Sequence, residues 1–215
     1  MRCHVMSDLH LERQDYPWEL PKGEALILAG DLCHAQCLKP VRTDLYAQRQ
    51  RDRVLRFADR ALANFAHVLL IAGNHDHYDG LIEETIPALR THLPGFKELD
   101  DEAVTIDGVS FFGATLWADF EGGNAVSMAA ARKGVGEYFF VRSVNNPPDR
   151  RGLPGKLVPE DTLAAHRRAL AAREAWQRGL GASAGVVITH HAPSGMGLNP
   201  AFQGNGLDGA YGSYL

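Results

Sequence analysis

The distribution of apolar residues divides the chain into four short hydrophobic runs that are separated by longer amphipathic stretches. The runs are residues 3–6, 25–29, 68–72 and 186–189, and each is followed by polar residues or glycine. Short runs with so few polar interruptions are typical of strands that are covered on both faces of a sheet. We therefore predict four buried strands.

Three longer segments have the apolar spacing of helices. The first extends from a cap at Thr43 to about Asn64, and the second begins near Leu81. The third covers residues 160–178 and ends at Gly179, a residue type that favours helix termination. On the first helix, six residues fall on one face and are expected to be buried: Val54, Leu55, Ala58, Ala61, Leu62 and Phe65.

A tight turn and two loops complete the predicted secondary structure. Alternating apolar residues flank Asp107-Gly108, a dipeptide that favours a two-residue hairpin turn. Residues 145–155 and the glycine-rich tail after His191 are predicted to be exposed or flexible loops. Strands that alternate with helices, together with a hairpin, indicate an α/β fold. We expect residues 1–215 to form a single domain.

Composition excludes several classes of protein. The 215 residues carry a formal charge of −4, so bulk charge gives no reason to expect nucleic acid as a partner. The apolar runs are too short to span a bilayer, and Asp8 and Glu12 stand where an export signal would need apolar residues. Three cysteines, an odd and sparse number, argue against a disulfide framework. We therefore expect a cytoplasmic protein without a membrane partner, whose oligomeric state the sequence does not indicate.

Side chains able to bind metal ions follow each of the four apolar runs. In the order of the runs they are Asp8 with His10, Asp31, Asn74-His75-Asp76, and His190-His191. In α/β sheets, ligands bind outside the carboxyl ends of the strands. The sequence therefore predicts that these side chains lie together in one site.

The donor types of this predicted site favour divalent metal ions. Carboxylate, imidazole and amide oxygen together suit Mn, Fe, Zn, Ni or Co. Asp8 and His10 are two residues apart, so an extended segment points both side chains to one side. Asp31 stands alone after its strand, and its two oxygens make it the natural bridge between two ions. Gly30 and Gly73 allow tight turns and close approach of the backbone.

Together, the four segments resemble the calcineurin-like metallophosphoesterases. The resemblance covers about residues 4–194 and is carried by Asp8-Leu9-His10, Gly30-Asp31, Gly73-Asn74-His75-Asp76 and Thr189-His190, in family order. It implies an α/β sandwich of two sheets flanked by helices. It also implies a binuclear metal centre in which Asp8, His10 and Asp31 hold one metal, while Asp31, Asn74 and His190 hold the second.

The resemblance also implies roles for the remaining residues. His75 faces the phosphate, where it protonates the leaving group or stabilises charge, and Asp76 orients it. His191 is the alternative metal ligand to His190. If it is not a ligand, we expect it to lie behind the ligands or to face the substrate. Cys33-His34-Ala35-Gln36-Cys37 lacks a second cysteine pair and has little weight as a zinc site, so His34 is expected to be structural.

The function implied by the resemblance is that of a phosphatase or phosphodiesterase, in which a hydroxide that bridges two divalent metals, manganese among them, attacks the phosphate. A phosphorylated small molecule is the expected substrate, although the shared site does not choose among the substrate classes of the family. Two alternatives remain open. One is a catalytically weak or inactive metal-binding scaffold. The other is a nuclease with the same site, against which the net charge of −4 argues mildly.

One departure from the family pattern is large. The family closes its site with a Gly-His-any-His segment, and none of the ten histidines here belongs to such a segment. The expectation is therefore that the domain is cut short at its C-terminus, with Ser213-Tyr214-Leu215 as the start of a helix. We expect the native chain to continue and to supply these ligands. Without them, metal binding and activity should be weak.

Overall fold

The structure is a computed structural model that describes residues 1–181, 183–198, 204 and 206–213. Its strands are β1 (Cys3–Met6), β2 (Gly23–Ala29), β3 (Phe65–Ile71), β4 (Lys97–Glu98), β5 (Glu102–Ile106), β6 (Val109–Ala114), β7 (Arg142–Ser143), β8 (Gly155–Lys156) and β9 (Gly185–Thr189). Its helices are α1 (Leu45–Asn64), α2 (Ile82–His92), α3 (Phe120–Gly123), α4 (Ala125–Gly134), α5 (Glu137–Phe140), α6 (Pro159–Leu180) and α7 (Asp208–Tyr211). None of the helices described is both long and apolar enough to cross a membrane.

The strands form two main sheets. In the first sheet, β1, β2, β3 and β4 lie side by side in that order, and all neighbours are parallel. In the second sheet, β6 lies between β5, to which it is antiparallel, and β9, to which it is parallel. A small antiparallel ribbon joins β7 to β8. The predicted hairpin is confirmed, because Asp107 and Gly108 both have positive φ angles between β5 and β6.

The alternation of side chains along each strand builds a layered core. Ile27 of β2 and Phe111 of β6 belong to one buried cluster, which lies between the two sheets. The next residue of β2, Leu28, points the other way and packs with Phe57 of α1. Phe112 of β6 likewise turns outward, towards α6. The molecule is therefore an α/β sandwich of two sheets flanked by helices, as predicted.

The four strands predicted from the apolar runs are present as β1, β2, β3 and β9. The central strands β2 and β3 are buried over most of their length. The prediction of burial on both faces is wrong for β1 and β9, where Val5 and Val187 are exposed. These two strands lie at the edges of their sheets, so only one neighbouring strand and one packed face cover them.

The longest helices are confirmed, with corrections at their ends and faces. The third, α6, runs through the predicted stop at Gly179 and ends at Leu180, before Gly181. Asp44, rather than Thr43, caps α1, and its carboxylate accepts a hydrogen bond from the Ala47 amide at 3.0 Å. The buried face of α1 is rotated from the predicted one, so that Leu55 and Leu62 are exposed. The buried residues are instead Ala47, Gln50, Val54, Phe57, Ala58 and Ala61. Periodicity alone could not choose between these overlapping stripes, because both contain apolar residues at helical spacing.

The tail after His191 differs from the predicted flexible loop where the structure describes it. Ala192 pairs with Gly212, and Ala210 is buried in a cluster with residues of α3, α4 and α6. The hydroxyl of Ser213 accepts a hydrogen bond from the Asp119 amide at 3.1 Å. Tyr214 and Leu215, which were expected to continue a helix from Ser213, lie outside the described residues.

Candidate metal centre

The loops that follow β1, β2 and β3 are joined by backbone hydrogen bonds at one end of the sandwich. The Asp8 amide donates to the Gly30 carbonyl at 3.1 Å, and the His10 amide donates to the Asp31 carbonyl at 3.0 Å. These bonds hold the first two loops side by side. As predicted from their positions at strand ends, Asp8, His10 and Asp31 therefore lie together.

Asp76 connects the second loop to the third. One oxygen of its fully buried carboxylate accepts from the Asp31 and Gly73 amides at 2.8 and 2.7 Å, and the other accepts from the Cys33 amide at 3.0 Å. Burial, followed by the neighbouring Asp31 carboxylate, raises the pKa of Asp76 to about 7. The expectation that Asp76 orients the His75 ring needs correction, since its carboxylate bonds to loop amides and holds the two loops together.

The backbone of these loops is strained. Asp8, His10 and Asp31 have φ angles of 56°, 45° and 55°, in the left-handed region that non-glycine residues seldom adopt. Such conformations persist only where surrounding contacts enforce them, and they cluster at functional sites. Gly30 also has a positive φ, and a Cβ atom there would lie 2.5 Å from Nδ1 of His190. Close approach of the backbone therefore requires glycine at this position, as the sequence suggested.

The carboxylate of Asp31 lies between two histidines. Its Oδ2 is 3.8 Å from Nε2 of His10, and its Oδ1 is 3.5 Å from Nε2 of His190. Asp8 adds an oxygen 3.9 Å from the same nitrogen of His10, and Asn74 adds its Oδ1 at 3.1 Å from that of His190. Asp31 is only 3% exposed. Two groups of donor atoms thus share one buried carboxylate.

Both histidines are held by their other ring nitrogen. Nδ1 of His10 lies 2.8 Å from an oxygen of Glu12, and Nδ1 of His190 lies 2.9 Å from the Ala29 carbonyl. Contacts of this kind fix the tautomer and orientation of metal-binding histidines. Sequence reasoning did not find this role of Glu12. The available signal was a carboxylate two residues after His10, which brings both side chains to one side.

Asn74 is oriented by a residue that the motifs do not contain. Its Nδ2 donates to an oxygen of Glu137 at 3.4 Å, which leaves its Oδ1 directed towards His190. Glu137 is only 2% exposed, and burial raises its pKa to about 7. The separation of 63 residues between the two partners explains why sequence reasoning missed this contact.

His75 lies beside the donor groups. Its amide donates to Oδ1 of Asp31 at 2.9 Å, and its ring stacks on Tyr78 with the ring centroids 4.2 Å apart. Its ring also meets the edge of His10 at 4.7 Å. Burial, together with the nearby His10 and His34, lowers the pKa of His75 to about 4. The imidazole is therefore neutral at pH 7 unless an anion binds next to it.

His191 lies behind the site rather than in its opening. It is 6% exposed, and its ring packs on Trp117 with the ring centroids 5.3 Å apart. Burial lowers its pKa to about 3. The groups of possible metal ligands among the described residues do not include it. An orientation towards the substrate is therefore wrong for His191, while a place behind His190 agrees with the structure.

The donor set fits divalent cations. Ligand atoms of Asp8, Asp31 and His190 lie within 4.8 Å of one another, and so do those of His10, Asp31 and His75. These groups share Asp31, as expected, but they place Asp8 with His190 rather than with His10. Within the described ranges, the basic side chains that approach the Asp31 carboxylate are those of His10 and His190 alone. Burial raises the pKa of the Asp31 carboxyl. A cation would offset the cost of burying this negative charge.

Comparison with known proteins agrees with this geometry. Residues 1–209 match the family model described as calcineurin-like phosphoesterase. The chain belongs to this family. The membership confirms the resemblance carried by the motifs and supports a metal-dependent phosphoester hydrolase.

A solved structure resembles this phosphoesterase. It is the phosphopantetheinyl hydrolase from Mycobacterium tuberculosis, with a TM-score of 0.58 and 18% sequence identity, and the match covers 98% of this chain and 75% of that chain. At this level of identity the likeness concerns the fold alone. No curated protein matches the chain.

Proposed function

We propose that this chain hydrolyses a phosphate ester with the help of two divalent metal ions. The observation that supports a pair of ions is the position of Asp31, whose two oxygens face Nε2 atoms of different histidines at 3.5 and 3.8 Å. In this proposal, one ion is held by Asp8, His10 and Asp31. The second is held by Asp31, Asn74 and His190.

When bound, two ions of this kind activate a water molecule and neutralise the charge of the phosphate. The protein's own part is to hold the donor atoms and to keep each Nε2 directed inward. The chain has no Gly-His-any-His segment. We therefore assign the remaining coordination positions to water, to the substrate or to residues of another segment.

We propose that His75 protonates the leaving group. Stacking on Tyr78 fixes the plane of its ring. A phosphate anion next to the imidazole raises its pKa, because an opposite charge favours the protonated form. The ring can then donate a proton to the departing oxygen once substrate is present, although it is neutral in the free protein.

For the substrate, we propose a small phosphorylated organic molecule. Phe140 is half-exposed and lies 5.3 Å from Tyr78, which in turn stacks on His75. This places apolar surface next to the proposed acid, where the organic part of a substrate would bind. The cytoplasmic location and the single domain remain predictions of the sequence.

A panel of substrates distinguishes the alternatives. It contains an aryl phosphomonoester, the corresponding diester, a single-stranded oligonucleotide, and a phosphopantetheinyl ester, the class in the name of the similar solved structure. Hydrolysis of the esters with added manganese supports the proposal, and their relative rates separate phosphatase from phosphodiesterase. Cleavage of the oligonucleotide alone would favour the nuclease. Metal binding without any turnover would favour the scaffold.

Asp31→Asn tests the bridging role. Asparagine tolerates the left-handed conformation of position 31, so the backbone should remain folded. We expect metal content, measured by mass spectrometry, to fall from two ions per chain to fewer than one, with loss of turnover. Asp107→Asn is the matched control, because Asp107 also has a positive φ but lies in the hairpin turn. Equal metal content in wild type and Asp31→Asn would refute the bridge.

A further inference from the structure

A third group of possible ligand atoms combines His75 with two residues outside the proposed pair of ions. It consists of Glu12, His34 and His75, of which one ligand atom each lies within 4.8 Å of the other two. Glu12 and His34 are 7% and 9% exposed, so both are more than nine-tenths buried. Neither residue is a ligand in the proposed pair of ions. The group therefore needs an explanation of its own.

The carboxylate of Glu12 has one oxygen without a partner. Its Oε1 lies 2.8 Å from Nδ1 of His10 and 3.4 Å from Nε of Arg13. Its Oε2 is buried and has no hydrogen-bond partner among the described residues. Buried carboxylate oxygens are almost always paired, because water no longer solvates them. The unpaired Oε2 thus has room for a hydrogen-bond donor or a cation that the described residues do not supply.

His34 is held in the manner of a metal ligand. Its Nδ1 lies 3.0 Å from Oδ2 of Asp79, and the Tyr46 hydroxyl is 3.4 Å from the same nitrogen. Asp79 is fixed in turn, with a φ of 62° and an amide that donates to the Phe140 carbonyl at 3.2 Å. A carboxylate on one ring nitrogen leaves the other free to bind an ion, and this second contact is typical of zinc-binding histidines.

We propose that Glu12, His34 and His75 form a binding site for one Zn²⁺ ion, and that its occupation inhibits the enzyme. Two imidazole nitrogens and one carboxylate oxygen, with a fourth position open, are a donor set that zinc accepts. An ion bound to a ring nitrogen of His75 would compete with the role of this imidazole as proton donor. Inhibition rests on the proposed function, whereas zinc binding does not.

The test uses the full chain loaded with manganese. Zinc is added in steps, turnover of an aryl phosphate is recorded, and bound zinc and manganese are both counted by mass spectrometry after removal of free ions. We expect zinc to bind and turnover to fall while manganese is retained. Inhibition of each variant is expressed relative to its own rate without zinc. On this scale, His34→Gln should raise the zinc concentration for half-inhibition by about tenfold or more over wild type, since it removes a ligand.

Two further variants separate a zinc site from a general loss of structure. Asp79→Asn keeps the left-handed backbone and removes only the charge behind His34, so it should weaken zinc binding by about 10–100-fold. His67→Gln is the matched control. His67 also has a carboxylate neighbour, Asp107 at 4.0 Å, but it lies near the start of β3, away from the site. Its zinc inhibition should equal that of wild type.

The outcomes separate this inference from the proposed function. Zinc that replaces manganese ion for ion, equally in wild type and His34→Gln, would overturn the third site. Unchanged inhibition in both His34→Gln and Asp79→Asn would also overturn it. If the protein hydrolyses no phosphoester, the number of zinc ions bound per chain still tests the site. Zinc that wild type binds and both variants lose would support the site without any measurement of activity.

Discussion

Glu137 offers a test of how the proposed metal centre is positioned, since it contacts Asn74 and is not a ligand in the proposed set. Its carboxylate accepts from Nδ2 of Asn74 at 3.4 Å, while Oδ1 of Asn74 points to His190 at 3.1 Å. Glu137→Ala removes this acceptor and lets the amide rotate. Glu137→Gln keeps an oxygen that can accept the same hydrogen bond. The two variants should therefore behave differently.

The size of the effect follows from this contact. Loss of a residue that orients a metal ligand commonly lowers metal affinity by about 10–100-fold, or about 1.4–2.8 kcal/mol. A hydrogen bond of 3.4 Å is long, so we expect Glu137→Ala to fall at the lower end of that range. Glu137→Gln should stay within a few-fold of wild type.

The pH dependence of stability gives a second test, in which a Glu137 variant should gain stability rather than lose metal affinity. Burial raises the pKa of Glu137 from 4.5 to about 7, so the folded state holds this proton more tightly than the unfolded state. The contribution of Glu137 to stability is therefore largest below pH 4.5 and is lost as the pH rises through 7. Glutamine does not ionise. Without added metal, Glu137→Gln should be more stable than wild type at pH 8, by at most about 3 kcal/mol.

Metal titration by calorimetry and chemical unfolding at several pH values measure both effects. Glu98→Ala is the matched control, because burial also raises the pKa of Glu98 to about 7 but its partner is Arg90, at 2.7 Å. The control should lose stability and keep its metal affinity. If Glu137→Ala binds metal as tightly as wild type, or if Glu137→Gln is as impaired as the alanine variant, the assigned contact does not orient Asn74.

Two further substitutions address the proton donor and the loops. His75→Ala should lower kcat by about 10²–10⁴-fold, with metal content unchanged and a smaller loss on nitrophenyl esters, whose leaving group needs no proton; equal losses on good and poor leaving groups would contradict its role as an acid. Gly73→Ala would place a Cβ atom 2.5 Å from the Asp31 amide, and should cost about 1–3 kcal/mol and most of the bound metal. Gly179→Ala, which meets nothing within 4 Å, is its control and should keep full metal content in the same assay.

The sequence was sufficient for features that depend on local chemistry. The apolar runs predicted β1, β2, β3 and β9, although only β2 and β3 are buried over most of their length. Asp107-Gly108 identified the hairpin because few other dipeptides adopt two positive φ angles. The residues at the strand ends predicted the candidate metal centre, since parallel strands bring their carboxyl ends to one edge.

Only the tertiary structure decided which long-range contacts form. Glu137 reaches Asn74 from a short helix 63 residues away, and no pattern along the chain announces the pair. Asp76 bonds to loop amides rather than to the neighbouring His75, because folding brings the Asp31 amide to its carboxylate. The grouping of His34 with Glu12 depends in the same way on how two loops pack. Local residue types determine the elements and the candidate donors, whereas packing determines which donor atoms meet.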